Sequence, residues 1–300
     1  MSENEELNTL CANCGIAEID DIKLKNCDGC DLVRYCSDEC REGNKSQHEE
    51  ECKKRAAELR DELLFKQPVG SHLGDCPICL IPLPPGRKKS AVHNCCSKII
   101  CHGCRYANQK REEEMKVQIT CPFCREPVPG TDEEAHRQRM KRVEANDPVA
   151  MCQEGNNEQN KGNYGRAFEY FTKAAELGNA RGHYGLSFLY DSGQGVEMDK
   201  GKVIHHLEEA AIAGHPHARY ALGCEELKNE NYDRALKHWF VAATQGDDES
   251  IKRLMHAFRE GVDIKDVLDI ALRAHKAAAD ATMSPQREAA QKYYQQTGVI

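Results

Sequence analysis

The chain has 300 residues, more than one small core needs and about the length of two or three domains at roughly 100 to 200 residues each. Lys plus Arg number 41 against 49 Asp plus Glu, a formal charge of −8, which argues against general binding to nucleic-acid phosphates. No stretch reaches the roughly 18 consecutive apolar residues of a membrane helix, and the acidic start, Met1 to Glu6, lacks the basic and apolar regions of a secretory signal. The expectation is an intracellular protein, cytoplasmic or nuclear, with no membrane partner.

Cysteine is the unusual component. There are 17, fifteen of them between Cys11 and Cys124, with Cys152 and Cys224 behind. In a reducing compartment clustered thiols point to metal rather than to disulfides. The first stretch reads Cys11-x-x-Cys14, Cys27-x-x-Cys30, Cys36-x-x-x-Cys40 and His48-x-x-x-Cys52. Eight ligands in four pairs suffice for two tetrahedral zinc ions, and a four-residue offset suits one face of a helix. From Glu51 to Lys66, the positions of Ala56, Ala57, Leu59, Leu63 and Leu64 predict a short helix, ended by Gln67-Pro68-Val69-Gly70.

A second cysteine-rich stretch follows, with Cys76-Pro77-Ile78-Cys79, Cys95-Cys96, Cys101-x-x-Cys104 and Cys121-Pro122-Phe123-Cys124. These eight thiols raise the total to sixteen ligands and four zinc ions per chain. Zinc with four thiolates keeps no open position, so the metal is expected to be structural and hydrolytic metal catalysis is not. Pro127, Pro129 and Gly130 then break the chain, and Thr131 with Glu134 forms a capping box for a charged helix ending near Ala145.

Everything after Asn146 reads as helical, and its register repeats. Ala174-Ala175-Glu176-Leu177-Gly178, Ala210-Ala211-Ile212-Ala213-Gly214 and Ala242-Ala243-Thr244-Gln245-Gly246 share one ending, with Phe171, Leu207 or Trp239 three residues before each Ala-Ala. The preceding helices align at Ala150/Gly155, Gly182/Ser187, Ala218/Gly223 and, weakly, Ser250/Met255, at intervals of 32 to 36 residues. A period of that size with two helices per unit predicts a solenoid.

These patterns carry three resemblances. The first eight ligands, with Tyr35-Cys36-Ser37 and His48 eight residues past Cys40, resemble a MYND zinc finger. That likeness implies interleaved sites: Cys11, Cys14, Cys36 and Cys40 on one ion, and Cys27, Cys30, His48 and Cys52 on the other. MYND fingers bind proline-rich peptides, but Arg41 and Lys45 stand where the family usually has Gln and Trp. The second set resembles an all-cysteine RING finger, implying that Cys76, Cys79, Cys101 and Cys104 share one ion and Cys95, Cys96, Cys121 and Cys124 the other. His93 or His102 could replace Cys95 or Cys96. In the RING family Ile78 and Pro122 would meet a ubiquitin-conjugating enzyme and Arg125 would steady its ubiquitin, although Arg105-Tyr106-Ala107-Asn108 lacks the Trp of many active members. Catalysis would then be by positioning, with no covalent catalytic residue. The units from Gly182-x-Tyr184-x-Leu186 and Ala218-x-Tyr220-x-Leu222-Gly223 resemble Sel-like repeats, relatives of the tetratricopeptide repeat.

The expected architecture is therefore multidomain: two small zinc-stabilised α+β modules, then an all-α helical-repeat solenoid. Its expected bounds are a MYND finger over 11–52, a helical linker over 53–70, a RING finger over 76–125, a charged helix over 131–146, about four repeats over 147–282 and a capping helix or tail over 283–300. The expected function is a zinc-binding adaptor that recruits a client protein through its repeats and its MYND module and ligates ubiquitin, with a non-catalytic zinc-finger scaffold for protein–protein interaction, such as a transcriptional adaptor, as the alternative. Several smaller features take bland readings. Ile81-Pro82-Leu83-Pro84-Pro85 is a zinc-module loop rather than a polyproline ligand, His205-His206 and His215-Pro216-His217 are solvated repeat residues, and Cys152 and Cys224 belong to helix packing. Lys53-Lys54-Arg55 and Arg87-Lys88-Lys89 are too short to indicate nucleic acid.

Overall fold

A computed structural model describes residues 10–18, 22–68, 70, 72–85 and 89–297. The acidic start, the Arg87-Lys88 pair and the final three residues of the expected tail lie outside them. The chain divides into two compact units, Met1–Lys66 and Gln67–Ile300.

In the first unit β1 (Lys25–Asn26) pairs antiparallel with β2 (Arg34–Tyr35), Lys25 opposite Tyr35. A single helix follows, α1 (Asp38–Phe65), in place of the shorter one expected from Glu51. Ser37 caps it by accepting from the Cys40 N–H at 3.3 Å, with Asp38 and Glu39 in the first turn where the helix dipole favours acid. Cys40, His48 and Cys52, eight and four residues apart, lie along one side, so metal ligation and not an apolar stripe accounts for the front half. Its buried residues are only Asn44, His48 and Leu64. The rest of the core is Cys11, Leu24, Cys27, Cys30 and Tyr35.

The second unit opens with another cysteine core, in which β3 (Ser90–Val92) pairs with β4 (Ile99–Cys101) and leads into α2 (His102–Glu114). Buried Glu112 on α2 accepts from the Thr120 N–H at 2.9 Å and the Thr120 hydroxyl at 2.6 Å, fastening the last cysteine turn to the helix. α3 (Asp132–Glu144) starts at the capping box: Thr131 Oγ1 accepts from the Glu134 N–H at 3.2 Å. The Glu134 carboxylate takes the N–H of Gly130, one residue before the cap, at 2.9 Å.

Eight helices then stack by neighbours: α4 (Pro148–Asn160), α5 (Tyr164–Glu176), α6 (Ala180–Ser192), α7 (Lys200–Ile212), α8 (Pro216–Lys228), α9 (Tyr232–Thr244), α10 (Asp248–Arg259) and α11 (Lys265–Ala281). The repeated large side chains fit against small ones. A Cβ on Gly155 would lie 2.7 Å from the Phe171 ring, and one on Gly223 would lie 2.4 Å from Trp239 Nε1. Cys152 is fully buried and Cys224 partly so, both packed among helices as expected.

His205 is exposed, in line with the solvated reading, but the other three histidines depart from it. His215 is buried: its Nδ1 accepts from the Ala218 N–H at 3.3 Å to cap α8, and its ring stacks on Tyr184. His206 Nδ1 meets His183 Nδ1 at 3.1 Å, and His217 Nδ1 lies 2.8 Å from a carboxylate oxygen of buried Asp247. Period alone could not show this, because the burial comes from neighbouring units. Asp247 also caps α10, accepting from the Ser250 N–H at 2.8 Å. Burial pushes its carboxyl up, but hydrogen bonds to His217 and Ser250 outweigh that and hold it below the ordinary value. Asp247→Ala is therefore expected to cost about 1–2 kcal/mol at neutral pH, read as a lower denaturation midpoint of the helical signal. Because the folded-state pKa is depressed, that contribution is present above the unfolded carboxyl's pKa of about 3.9 and is lost as pH falls through the folded value. The two proteins should converge in acid.

The last helix, α12 (Pro285–Thr297), does not continue the stack as a cap. It packs on α2, with Tyr293 4.8 Å from Tyr106 and Tyr294 edge-on to His102 at 5.1 Å between ring centroids.

Candidate metal centres

Five turns set the ligands, and they share one backbone device. Gly15, Asp31, Leu80, Ser97 and Arg125 all have positive φ, and each follows the last thiol of a pair. Their N–H groups bond back to the carbonyls of Cys11, Cys27, Cys76, His93 and Cys121 at 2.7 to 3.2 Å. Each turn so closed directs its thiols to one side. Non-glycine residues accept this left-handed conformation at a cost of roughly 1–2 kcal/mol each, which the ligand arrangement must offset.

The thiols and His48 fall into four sets, the donor atoms of each all within 4.8 Å of one another: Cys11, Cys14, Cys36, Cys40; Cys27, Cys30, His48, Cys52; Cys76, Cys79, Cys101, Cys104; and Cys95, Cys96, Cys121, Cys124. In both modules the first pair joins the third and the second joins the fourth. Measured edges are 3.5 Å for Cys14–Cys36 and Cys36–Cys40, 3.6 Å for Cys27–Cys52, 3.8 Å for Cys79–Cys101 and Cys96–Cys121, and 3.3 Å for Cys95–Cys124. Cys30 Sγ lies 3.1 Å from His48 Nε2. A tetrahedron with zinc–sulfur arms of about 2.3 Å has edges of about 3.8 Å, so the donor sets fit zinc in size as well as in chemistry.

Titration points the same way. Hydrogen bonding with the Cys101 thiol draws Cys76 down to about 4, while the same contact, with burial, pushes Cys101 far up. Cys36 is pushed up to about 12 by its hydrogen bond with Cys14. Four thiols this close cannot all ionise beside one another, and a dication removes that conflict.

Neither His93 nor His102 joins a set. His93 takes the first position of its turn, where the other turns have cysteine, but its Nε2 is buried without a hydrogen-bond partner. Burial, aided by the nearby Arg105 charge, draws the ring down to about 4. His102 lies against Tyr294.

The residues expected to meet other proteins are placed unevenly. Ile78 is 40% exposed and Phe123 45%, so neither is core packing; Leu80, two residues past Ile78 and not singled out in the sequence, is 75% exposed. Pro122 is half-buried. Arg125 donates to Asn108 Oδ1 at 2.8 Å and lies 4.0 Å from Glu112. In the first unit Arg41 pairs with Asp28 at 3.0 Å and Lys45 with Glu42 at 3.4 Å, so charged pairs occupy the positions where MYND fingers usually carry Gln and Trp.

Sequence reasoning missed Arg287 on α12. Its guanidinium donates to the carbonyls of Pro82 at 2.7 Å and Ile81 at 3.0 Å, and reaches Cys79 Sγ at 3.5 Å. A Cβ on Gly103 would stand 3.0 Å from the Arg287 backbone nitrogen, so this approach needs a glycine. Ile81–Pro85 is thus the loop that holds the last helix.

Four closed donor sets and a stack of paired helices in one chain define a zinc-binding protein of the protein-interaction class. Residues 11–52 match the MYND finger family, and that match does not extend to the second cysteine module. The chain is 25% identical to "DAP3-binding cell death enhancer 1" of Mus musculus, over 42% of this chain and 33% of that protein. It is 23% identical to the Rattus norvegicus protein of the same name over the same shares. It spans about a third of the length of these curated relatives. Among solved structures it is similar to a Sel1 repeat protein from Oxalobacter formigenes, with TM-score 0.44 and 23% identity over 59% of this chain and 71% of that one. It is also similar to c5321, an Escherichia coli protein with an SLR fold, with TM-score 0.43 and 18% identity over 59% and 38%. Among the described residues no helix is long and apolar enough to cross a membrane.

Proposed function

We propose that the chain is a zinc-stabilised adaptor that recruits a client protein through its helical repeats and its MYND finger. One observation carries this reading: all sixteen candidate ligands sit in closed four-donor sets, so the metals are left to hold shape and the protein surfaces to bind. Cross-linking of the zinc-loaded full chain in cells, read by mass spectrometry, tests it. Clients should cross-link to the repeat helices at defined sites, and the reading falls if cross-links are absent or scattered evenly over the surface.

A second reading, ubiquitin ligation, is favoured by the exposed apolar side chains of Ile78, Leu80 and Phe123 on the outer cysteine turns of the second module. A conjugating enzyme would dock on Ile78 and Pro122, and Arg125 would turn from Asn108 towards ubiquitin, accelerating transfer by orientation alone. The expected result is discharge of ubiquitin from at least one loaded conjugating enzyme, lost in Ile78→Ala and Arg125→Ala at unchanged zinc content. If a panel of such enzymes shows no discharge, ligation is excluded and the adaptor reading stands by itself.

A further inference from the structure

Within the second unit a cleft of about 900 Å³ opens between the zinc module and the repeats. His72, Val92 and Ile99 contribute one side, and Gln159, Asn160, Arg181, Tyr184 and Phe188 contribute the other. That volume lies in the range of specific ligand sites.

The charge of the lining is its distinguishing property. The chain carries 49 acidic residues and a formal charge of −8, yet among the described residues no Asp or Glu lines the cleft, whereas Arg181, His72, His215 and His217 do. Because His72 is held neutral near pH 7 and His217 faces Asp247, Arg181 carries the charge of the lining, opposite in sign to the net charge of the molecule. His72 responds to it: burial first, then the charges of Arg181 and His217, draw its ring down to about 4. Of the histidines, His217 at the rim is already matched by Asp247 at 2.8 Å.

Shape and hydrogen bonding narrow the ligand further. His215 lies between Tyr184 and His72, stacked on the first at 4.6 Å and tilted against the second at 4.4 Å between ring centroids, so aromatic rings join the two sides of the cleft. Phe188 projects beside it and is 52% exposed. Gln159 and Asn160 each bring a carboxamide, which can donate to a carbonyl and accept from an N–H at once, the two demands of an extended main chain. An arginine fork suits a carboxylate.

We propose that this cleft binds an extended acidic peptide segment of the client protein. A carboxylate of the segment faces Arg181, its main chain pairs with Gln159 and Asn160, and an apolar side chain rests on Phe188. The proposal deepens the adaptor reading and rests on it. It places the bound segment against the zinc module as well as the repeats, so the two parts of the unit act on the client together.

The test uses the zinc-loaded full chain and fluorescent hexapeptide libraries with Glu, Gln or Lys fixed at two positions, followed by fluorescence polarisation. Glu libraries should bind tightest and weaken as salt rises. Arg181→Gln should weaken the selected peptide tenfold or more, equivalent to about 1.4 kcal/mol, with Lys252→Gln on exposed α10 as the unaffected control. Asn160→Ala, at an exposed position, should weaken it several-fold and guards against misfolding of the Arg181 variant. Preference for Gln or Lys libraries overturns the proposal, as does acidic binding indifferent to both cleft variants; either leaves the adaptor reading intact. A ten-nucleotide single-stranded oligonucleotide that binds the cleft more tightly than any peptide also overturns it. If no library binds and no client cross-links to the repeats, both readings fall.

Discussion

Stripping zinc from the full chain with a strong chelator is expected to unfold residues 10–66 while most of the repeat helix signal survives. Structural zinc contributes about 10–16 kcal/mol in zinc-finger peptides, as large as the whole stability of an ordinary domain at roughly 5–15 kcal/mol. The first unit has little to set against that loss. Of the three buried residues on α1, two are polar, and His48 is itself a ligand candidate. Without metal, the front half of α1 has no apolar face to bury and should fray back past Cys52. The repeats bury Phe171, Leu207, Trp239 and Leu254 without any metal, and should hold. Released zinc titrated with a chromophoric chelator should come to four per chain, and limited proteolysis should cut the first unit early. Unchanged proteolysis and circular dichroism after complete zinc release would overturn the assignment of the metals as structural.

Trp239→Ala should be the most damaging single change in the repeats, at about 3–5 kcal/mol. The indole is 4% exposed in a cluster with Ala235, Leu254, Ile264 and Leu268, and its Nε1 donates to the Tyr220 carbonyl at 3.3 Å. Truncation leaves a cavity and removes the hydrogen bond that ties the two helices together. Gly223→Leu should be damaging for the opposite reason, since the indole occupies the space where a side chain would go. The two changes combined should therefore cost less than their sum, as contacting residues do. Strict additivity of the denaturation midpoints would show that the two positions do not share one space.

The ligand sets could be anticipated because cysteine spacing is tied to turn geometry: two residues between thiols close one turn, and family likeness supplied the interleaving. The repeat helices could be anticipated because large and small residues recur in register, as Phe171 and Trp239 do against Gly155 and Gly223. What could not be anticipated rests on contacts between distant parts of the chain. Nothing local marks Arg287 as an anchor for the Ile81–Pro82 loop, and the tail reads equally well as one more cap. His215 looks like a surface residue in its own turn until His72 covers it. The unbroken α1 was hidden for another reason: its front half lacks the apolar period that announces a helix, because ligands hold it instead. The cleft, shared by the zinc module and four repeat helices, could not be inferred from either part by itself.

The reach of Arg287 back to Cys79, 208 residues earlier, also bears on how the chain is made. At roughly 5–20 residues per second, the ribosome delivers Arg287 about 10–40 s after Cys79. The second zinc module therefore spends that interval without α12 against α2, its Tyr106 and His102 still uncovered, while the repeats fold in between. Metal capture by Cys76, Cys79, Cys101 and Cys104 can come first, and the docking of α12 is the step that closes the unit.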